Sequence, residues 1–228
     1  MNTRPALSSG DIFVKNSSIR PKLIHSAWAR SWSVSMNSEG DNLHISEVSL
    51  LEGGNWKATF TQANRVLLLP LQGYLILNSG QILSVGEVFA GNKESDSVWE
   101  ISNPSSDTVH FVLIEMKGSL NLASRIYPLD FYLGWISIRI SEYEVENECQ
   151  QNLTLHLGKL AGRQEKVLEL KAPSLAIVLG GAFEYVNRLM EQGDGVWLDS
   201  PAQVELEALS TEGLILILEV GIDSVQIQ

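Results

Sequence analysis

Four histidines are the natural places to look for chemistry in this sequence, because a neutral imidazole can move a proton or bind a metal near pH 7. Their surroundings favour plainer roles. His110 lies in the apolar run Thr108 to Met116, where a buried histidine satisfied by a neighbour is the more economical reading, and no second donor stands near it in sequence. His44 alternates with Ser46, and His156 with Thr154, on what read as the polar faces of strands, so both are expected at the surface. His25 sits in a segment without a pattern. Cys149 is the single cysteine, cannot close an internal disulfide, and reads as a spectator in a reducing compartment. The pairs Glu142/Glu144 and Glu146/Glu148 form an acidic loop, more often a solvated face than a catalytic carboxylate pair. No Ser or Cys stands in a nucleophile-elbow context, and no glycine-rich phosphate loop precedes a helix.

The elements that must carry these residues are short strands. Val66 to Val88 reads as apolar strands broken at Gln72-Gly73 and Asn78-Ser79-Gly80, followed by a glycine–acid step at Gly86-Glu87. The rhythm returns at Val178 to Val196, with Gly181 matching Gly73 and Gly193-Asp194 matching Gly86-Glu87. A unit repeated once at domain-sized spacing implies duplication. Around it lie further runs of four to nine residues, among them Asp11 to Lys15, Leu43 to Leu51, Trp56 to Thr61, Val98 to Ile101 and Leu153 to Leu160, separated by Gly, Asn and Asp turns. No helical period runs through them, apart from room for one turn at Leu120 to Arg125. Many short strands between such turns predict an all-β sandwich or barrel. The polar stretch Lys117 to Pro128 reads as a linker, and the expected modules are residues 1–122, with lead-in strands, and 123–228.

Composition bounds the function. The chain has 228 residues, 44 % of them hydrophobic, enough for two modest cores. Its formal net charge of −11 argues against a nucleic-acid partner, which would need clustered Lys and Arg. Residues 1 to 20 carry no apolar leader, and no stretch approaches eighteen uninterrupted apolar residues, so a cytoplasmic protein without a membrane partner is expected.

Pro70-Leu-Gln-Gly73, Gly86-Glu-Val88, Asn103-Pro-Ser105 and Val109-His-Phe111, with Leu153 to Leu160 and Leu189 to Asp199 in the second half, resemble the pirin-like bicupins, tandem jelly-roll barrels. The resemblance covers the chain from about residue 43 onward. It implies a metal in the first barrel, held by a His-x-His pair and by a His and a Glu before Asn-Pro. Counting from Gly73 and from Asn103-Pro104, those positions fall here on Thr59, Thr61, Trp99 and Ile101, with Trp56, Arg65 and Glu100 as neighbours. Two hydroxyls, an indole and an alkyl group cannot hold a divalent ion, so no metal and no cofactor are expected. Trp99 either fills the vacated barrel or forms an apolar wall for a ligand, and filling is the simpler way to remove a void. The expected function is a metal-free small-molecule-binding or regulatory module. The alternatives are a quercetinase-type dioxygenase, or a metal-independent isomerase or epimerase using His110 with Tyr74.

Overall fold

The glycine–acid steps are turns held by their own carboxylates. Gly86 and Gly193 adopt left-handed backbone at φ of 90° and 92°, where a side chain would be strained. The following carboxylate accepts from the backbone N–H three residues earlier: Glu87 Oε2 from Ser84 at 2.8 Å, and Asp194 Oδ2 from Glu191 at 2.9 Å. Gly73 and Gly181 correspond in the same way, at φ of 77° and 74°. Each follows a bulge, in which Leu71 and Leu179 are the residues skipped by the neighbouring strand.

The computed structural model describes residues 12–14, 22–24, 27–35, 42–60, 64–93, 97–117, 124–130, 134–141, 149–200 and 202–224. Among them every regular element is a strand, and no helix is long and apolar enough to cross a membrane. The chain divides into two units, Ile19–Asp130 and the pair Met1–Ser18 with Phe131–Gln228.

In the first unit the strands are β2 (Lys22–Ile24), β3 (Ala27–Ser35), β4 (Asn42–Leu50), β5 (Asn55–Phe60), β6 (Asn64–Gln72), β7 (Tyr74–Leu77), β8 (Ile82–Ser84), β9 (Glu87–Lys93), β10 (Ser97–Ser102), β11 (Val109–Lys117) and β12 (Arg125–Pro128). They form a seven-stranded sheet, β12-β9-β6-β11-β4-β3-β2, and a four-stranded sheet, β5-β10-β7-β8. The second unit has β1 (Ile12–Val14), β13 (Trp135–Ser141), β14 (Cys149–Ala161), β15 (Glu165–Leu170), β16 (Ser174–Gly180), β17 (Ala182–Tyr185), β18 (Arg188–Glu191), β19 (Gly195–Leu198), β20 (Ala202–Ala208) and β21 (Glu212–Ser224). Its sheets run β1-β19-β16-β21-β14-β13 and β15-β20-β17-β18. Moving each strand from β3 to β11 on by ten reproduces the order of both sheets. The fold is therefore all-β, two jelly-roll modules in tandem, as the internal repeat requires.

Each module closes its two sheets on one core. In the first, Val48, Leu50, Leu68, Phe89, Trp99, Ile101, Val109 and Phe111 pack together; in the second, Val178, Phe183, Tyr185, Val196, Leu206 and Ile217 do. The strands at the centre of each large sheet are buried on their other side too, as at Leu67, Leu69, Val112 and Ile114, which is why β6 and β11 read as nearly continuous apolar runs.

Two boundaries differ from the sequence reading. β12 pairs with β9, so the first unit runs to Asp130 and not to residue 122, because an extended segment completes the sheet edge. β1 pairs with β19, so the lead-in strand belongs to the second unit. Within Leu120 to Arg125, Arg125 begins β12, and residues 120–123 lie outside the described residues, as do Glu142, Glu144, Glu146, Glu148 and His25.

Candidate functional site

Strand alternation decides which side chains enter the first barrel. On β5 and β10 the inward set is Trp56, Ala58, Trp99 and Ile101, since Trp99 stands opposite Ala58 and Ile101 opposite Trp56, all packed into the core. Trp99 is 1 % exposed. Its ring lies 5.3 Å from that of Phe89, tilted by 44°, and Lys93 Nζ sits 4.3 Å from its centroid. The indole therefore occupies the interior where the sequence reading placed a vacated metal site. Trp56 is partly buried beside Ile101, near the Asn103 turn, and its indole N–H has no hydrogen-bond partner among the described residues.

The other sequence-derived positions fall outside this set. Thr59 pairs with Val98, an exposed residue, and Glu100 pairs with Lys57, forming a surface ion pair at 3.4 Å. Thr61 lies outside the described residues. Arg65 is buried, but it stands opposite Met116 and Asn92, on the side of the large sheet that faces away from Val66 and Leu68. His110 and Tyr74 are not brought together as an acid–base pair. His110 Nδ1 bonds Ser49 Oγ at 2.7 Å, whereas Tyr74 is exposed opposite Ser84.

The inward face of the large sheet ends in a polar layer whose His44 and Ser46 sequence reasoning assigned to a polar strand face. Along β11 the inward residues are Val109, Phe111, Leu113 and Glu115; along β4 they are Leu50, Val48, Ser46 and His44, with Glu115 opposite His44. Ser33 Oγ lies 2.7 Å from His44 Nδ1, and Ser46 Oγ lies 3.3 Å from Nε2 and 3.0 Å from Ser31 Oγ. Burial pushes the Glu115 carboxyl up to about 7 and pulls both His44 and Lys93 down. A carboxylic acid poised near neutrality beside an imidazole can take or give a proton at physiological pH. Their spacing in the chain, 44 and 115, gave no signal of the pairing.

On the opposite side of β3 and β4 lies an open cleft of about 320 Å³ lined by Trp28, Ala29, Arg30, Glu47 and Ser49. Trp28 is 45 % exposed and forms its aromatic wall. Arg30 Nε meets Glu47 Oε2 at 2.6 Å, yet burial outweighs the guanidinium and leaves the Glu47 carboxyl above its ordinary value. Ser49, with its bond to His110, closes the polar side.

The second module has its own polar group. His156, expected at the surface, is 9 % exposed, its Nδ1 2.7 Å from Ser137 Oγ and its Nε2 2.6 Å from Glu219 Oε1. It lies on the inward set of β14 with Leu160, because Ile217 opposite it is part of the core.

Two barrels of one strand order, each polar at one end of its interior, make a tandem jelly-roll fold. The chain is similar to the bacterial pirin YhhW of Escherichia coli, solved in complex with nickel(II), at a TM-score of 0.66 and 14 % identity over 92 % of this chain and 98 % of that one. It is also similar to Ylba of E. coli, at 0.63 and 12 % over 99 % and 97 %, and to oxalate decarboxylase of Bacillus subtilis, at 0.61 and 10 % over 99 % and 82 %. At these identities the likeness establishes the fold. No protein-family model matches the sequence, and no curated protein does.

Proposed function

We propose that this chain is a pirin-like bicupin whose first module has lost its metal and works as a small-molecule-binding module. The burial of Trp99 carries this reading, since an indole packed against Phe89 fills the interior that a metal centre would need. Thr59 and Thr61, at the positions that the resemblance gives to the His-x-His pair, offer hydroxyls only. Among the described residues no three His, Cys, Asp or Glu side chains gather into a metal-holding group. The ligand then binds in the cleft on β3 and β4, where an exposed indole and a polar Arg30–Glu47–Ser49 side suit a ring compound with polar substituents.

The test is a thermal-shift screen of ring compounds, followed by elemental analysis of the purified protein. Ligands should raise the melting temperature, and Trp28→Ala should abolish that rise while leaving the unliganded protein folded. Near one iron, nickel, copper or zinc ion per chain would overturn the metal-free part. Binding that survives both Trp28→Ala and Arg30→Ala would overturn the cleft.

A second reading, a metal-independent acid–base enzyme, is favoured by one observation: the Glu115 carboxyl near neutrality, opposite His44. It replaces His110 and Tyr74 as the acid–base pair. Proton exchange from carbon acids added to the protein, abolished in Glu115→Gln, would separate it from simple binding.

A further inference from the structure

Ser137, His156 and Glu219 come from three adjacent strands of the second module and are far apart in the chain. Glu219 is 7 % exposed, and its second oxygen accepts the backbone N–H of Lys171 at 2.6 Å. Burial alone would raise this carboxyl, but the hydrogen bond from His156, those from the backbone of Lys171 and Ala172, and the charge of His156 together hold it below its ordinary value. An ionised carboxylate only accepts, so His156 Nε2 carries the hydrogen it donates. In the neutral ring the lone pair then falls on Nδ1, facing the Ser137 hydroxyl at 2.7 Å. Ser137 itself is exposed on β13, the edge strand.

We propose that Ser137 is a nucleophile with His156 as its base and Glu219 as the positioning residue, forming an acyl-transfer site for acyl esters of aromatic alcohols. A hydroxyl bonded to a base that a third group orients is the arrangement that activates serine. Which imidazole nitrogen meets the serine is immaterial, because the carboxylate fixes the tautomer from the other side. The aromatic preference comes from Trp135, two residues before Ser137, whose ring lies 6.1 Å from the imidazole at 32°. Gly158 opposite leaves room for that ring, for a Cβ there would strike Trp135.

In the acylation step Ser137 Oγ bonds the acyl carbon and its proton passes to His156 Nδ1. The bond from the acyl carbon to the aromatic oxygen breaks, and His156 returns the proton to that oxygen. Water then attacks the acyl-serine, giving a proton to His156, and the carboxylic acid leaves as Ser137 recovers its hydrogen. Ester and water become acid and phenol.

The test treats the full-length protein with a fluorophosphonate probe and maps the adduct by mass spectrometry. One adduct at Ser137 is expected, absent in Ser137→Ala and formed about 100-fold or more slowly in His156→Gln, the usual weight of a positioned base. Glu219→Gln should slow labelling and Glu219→Asp should restore part of the rate, since the carboxylate fixes the tautomer that turns the Nδ1 lone pair to Ser137. Should His156→Gln fail to fold, Ser137→Cys in a Cys149→Ser background offers a second reading, with iodoacetamide alkylation faster than that of a free thiol. No adduct, an adduct elsewhere, labelling of His156→Gln at the parent rate, or a Ser137→Cys thiol no more reactive than a free one would overturn the proposal.

Discussion

Replacing Trp99 by alanine should break the first module, and the structure sets the size of the effect. A buried tryptophan removes about 150–250 Å² from water, and at about 25 cal/mol per Å² that is roughly 4–6 kcal/mol. Alanine keeps part of it, while the void left behind relaxes only partly, so the net loss expected is about 3–5 kcal/mol. The Lys93 ammonium over the ring adds about 0.5–2 kcal/mol, because its buried partner disappears. The assay is urea unfolding followed by circular dichroism, with the two modules fitted as separate transitions. Trp28→Ala is the control, since that indole, on β3 of the same module, is 45 % exposed and should cost less than about 1 kcal/mol. Only the first-module transition should move in Trp99→Ala. A loss below about 1 kcal/mol would refute the argument, for a side chain that costs so little to remove is not filling a barrel.

Two further outcomes test the electrostatics and the backbone. Glu115 is protonated in the fold up to about pH 7, above its ordinary value of 4.5, so the native state holds a proton that the unfolded chain releases between those limits. Its effect on stability is therefore absent below about pH 4.5 and grows to a loss of about 1–2 kcal/mol above pH 7, after allowance for its partial exposure. His44 on β4 is the titratable residue directly opposite it. Denaturation midpoints at pH 5 and pH 8 should differ less in Glu115→Gln than in the parent, and an unchanged difference would show that the carboxyl titrates normally. Gly181→Ala should cost more than about 3 kcal/mol, because an added Cβ meets the Glu212 carbonyl oxygen at 2.5 Å on top of its left-handed backbone. Gly80→Ala, at φ of 77° with open space around it, isolates the backbone part at about 1–2 kcal/mol in the same melts.

The duplicated turns could be read from sequence because they are local. A glycine forced to positive φ and an acid that accepts from the N–H three residues back leave the same short signature at Gly86-Glu87 and Gly193-Asp194. The bulges at Leu71 and Leu179 left none, and neither did the pairing of Arg125–Pro128 with β9. The polar end of each barrel was misread for one physical reason. Alternation distinguishes two faces of a strand but not which is inward, and at a barrel mouth the inward face turns polar, so His44 with Ser46 and His156 with Thr154 resembled solvent-facing pairs. Glu219 was invisible as a partner of His156 because 63 residues separate them.

The pairing of β1 with β19 places the earliest residues of the chain in the module that is finished last. Ile12 waits for Trp197, about 185 residues later, which at ribosomal rates of about 5–20 residues per second is roughly 10–40 s. During that interval the segment Ile12–Val14 is made but has nothing to join, while the first module already has all of its own strands. Nascent-chain proteolysis would see the first module become resistant early, with Ile12–Val14 remaining cleavable until synthesis has passed β19. A circular permutant that carries Met1–Ser18 after residue 228 would remove the delay and keep every strand.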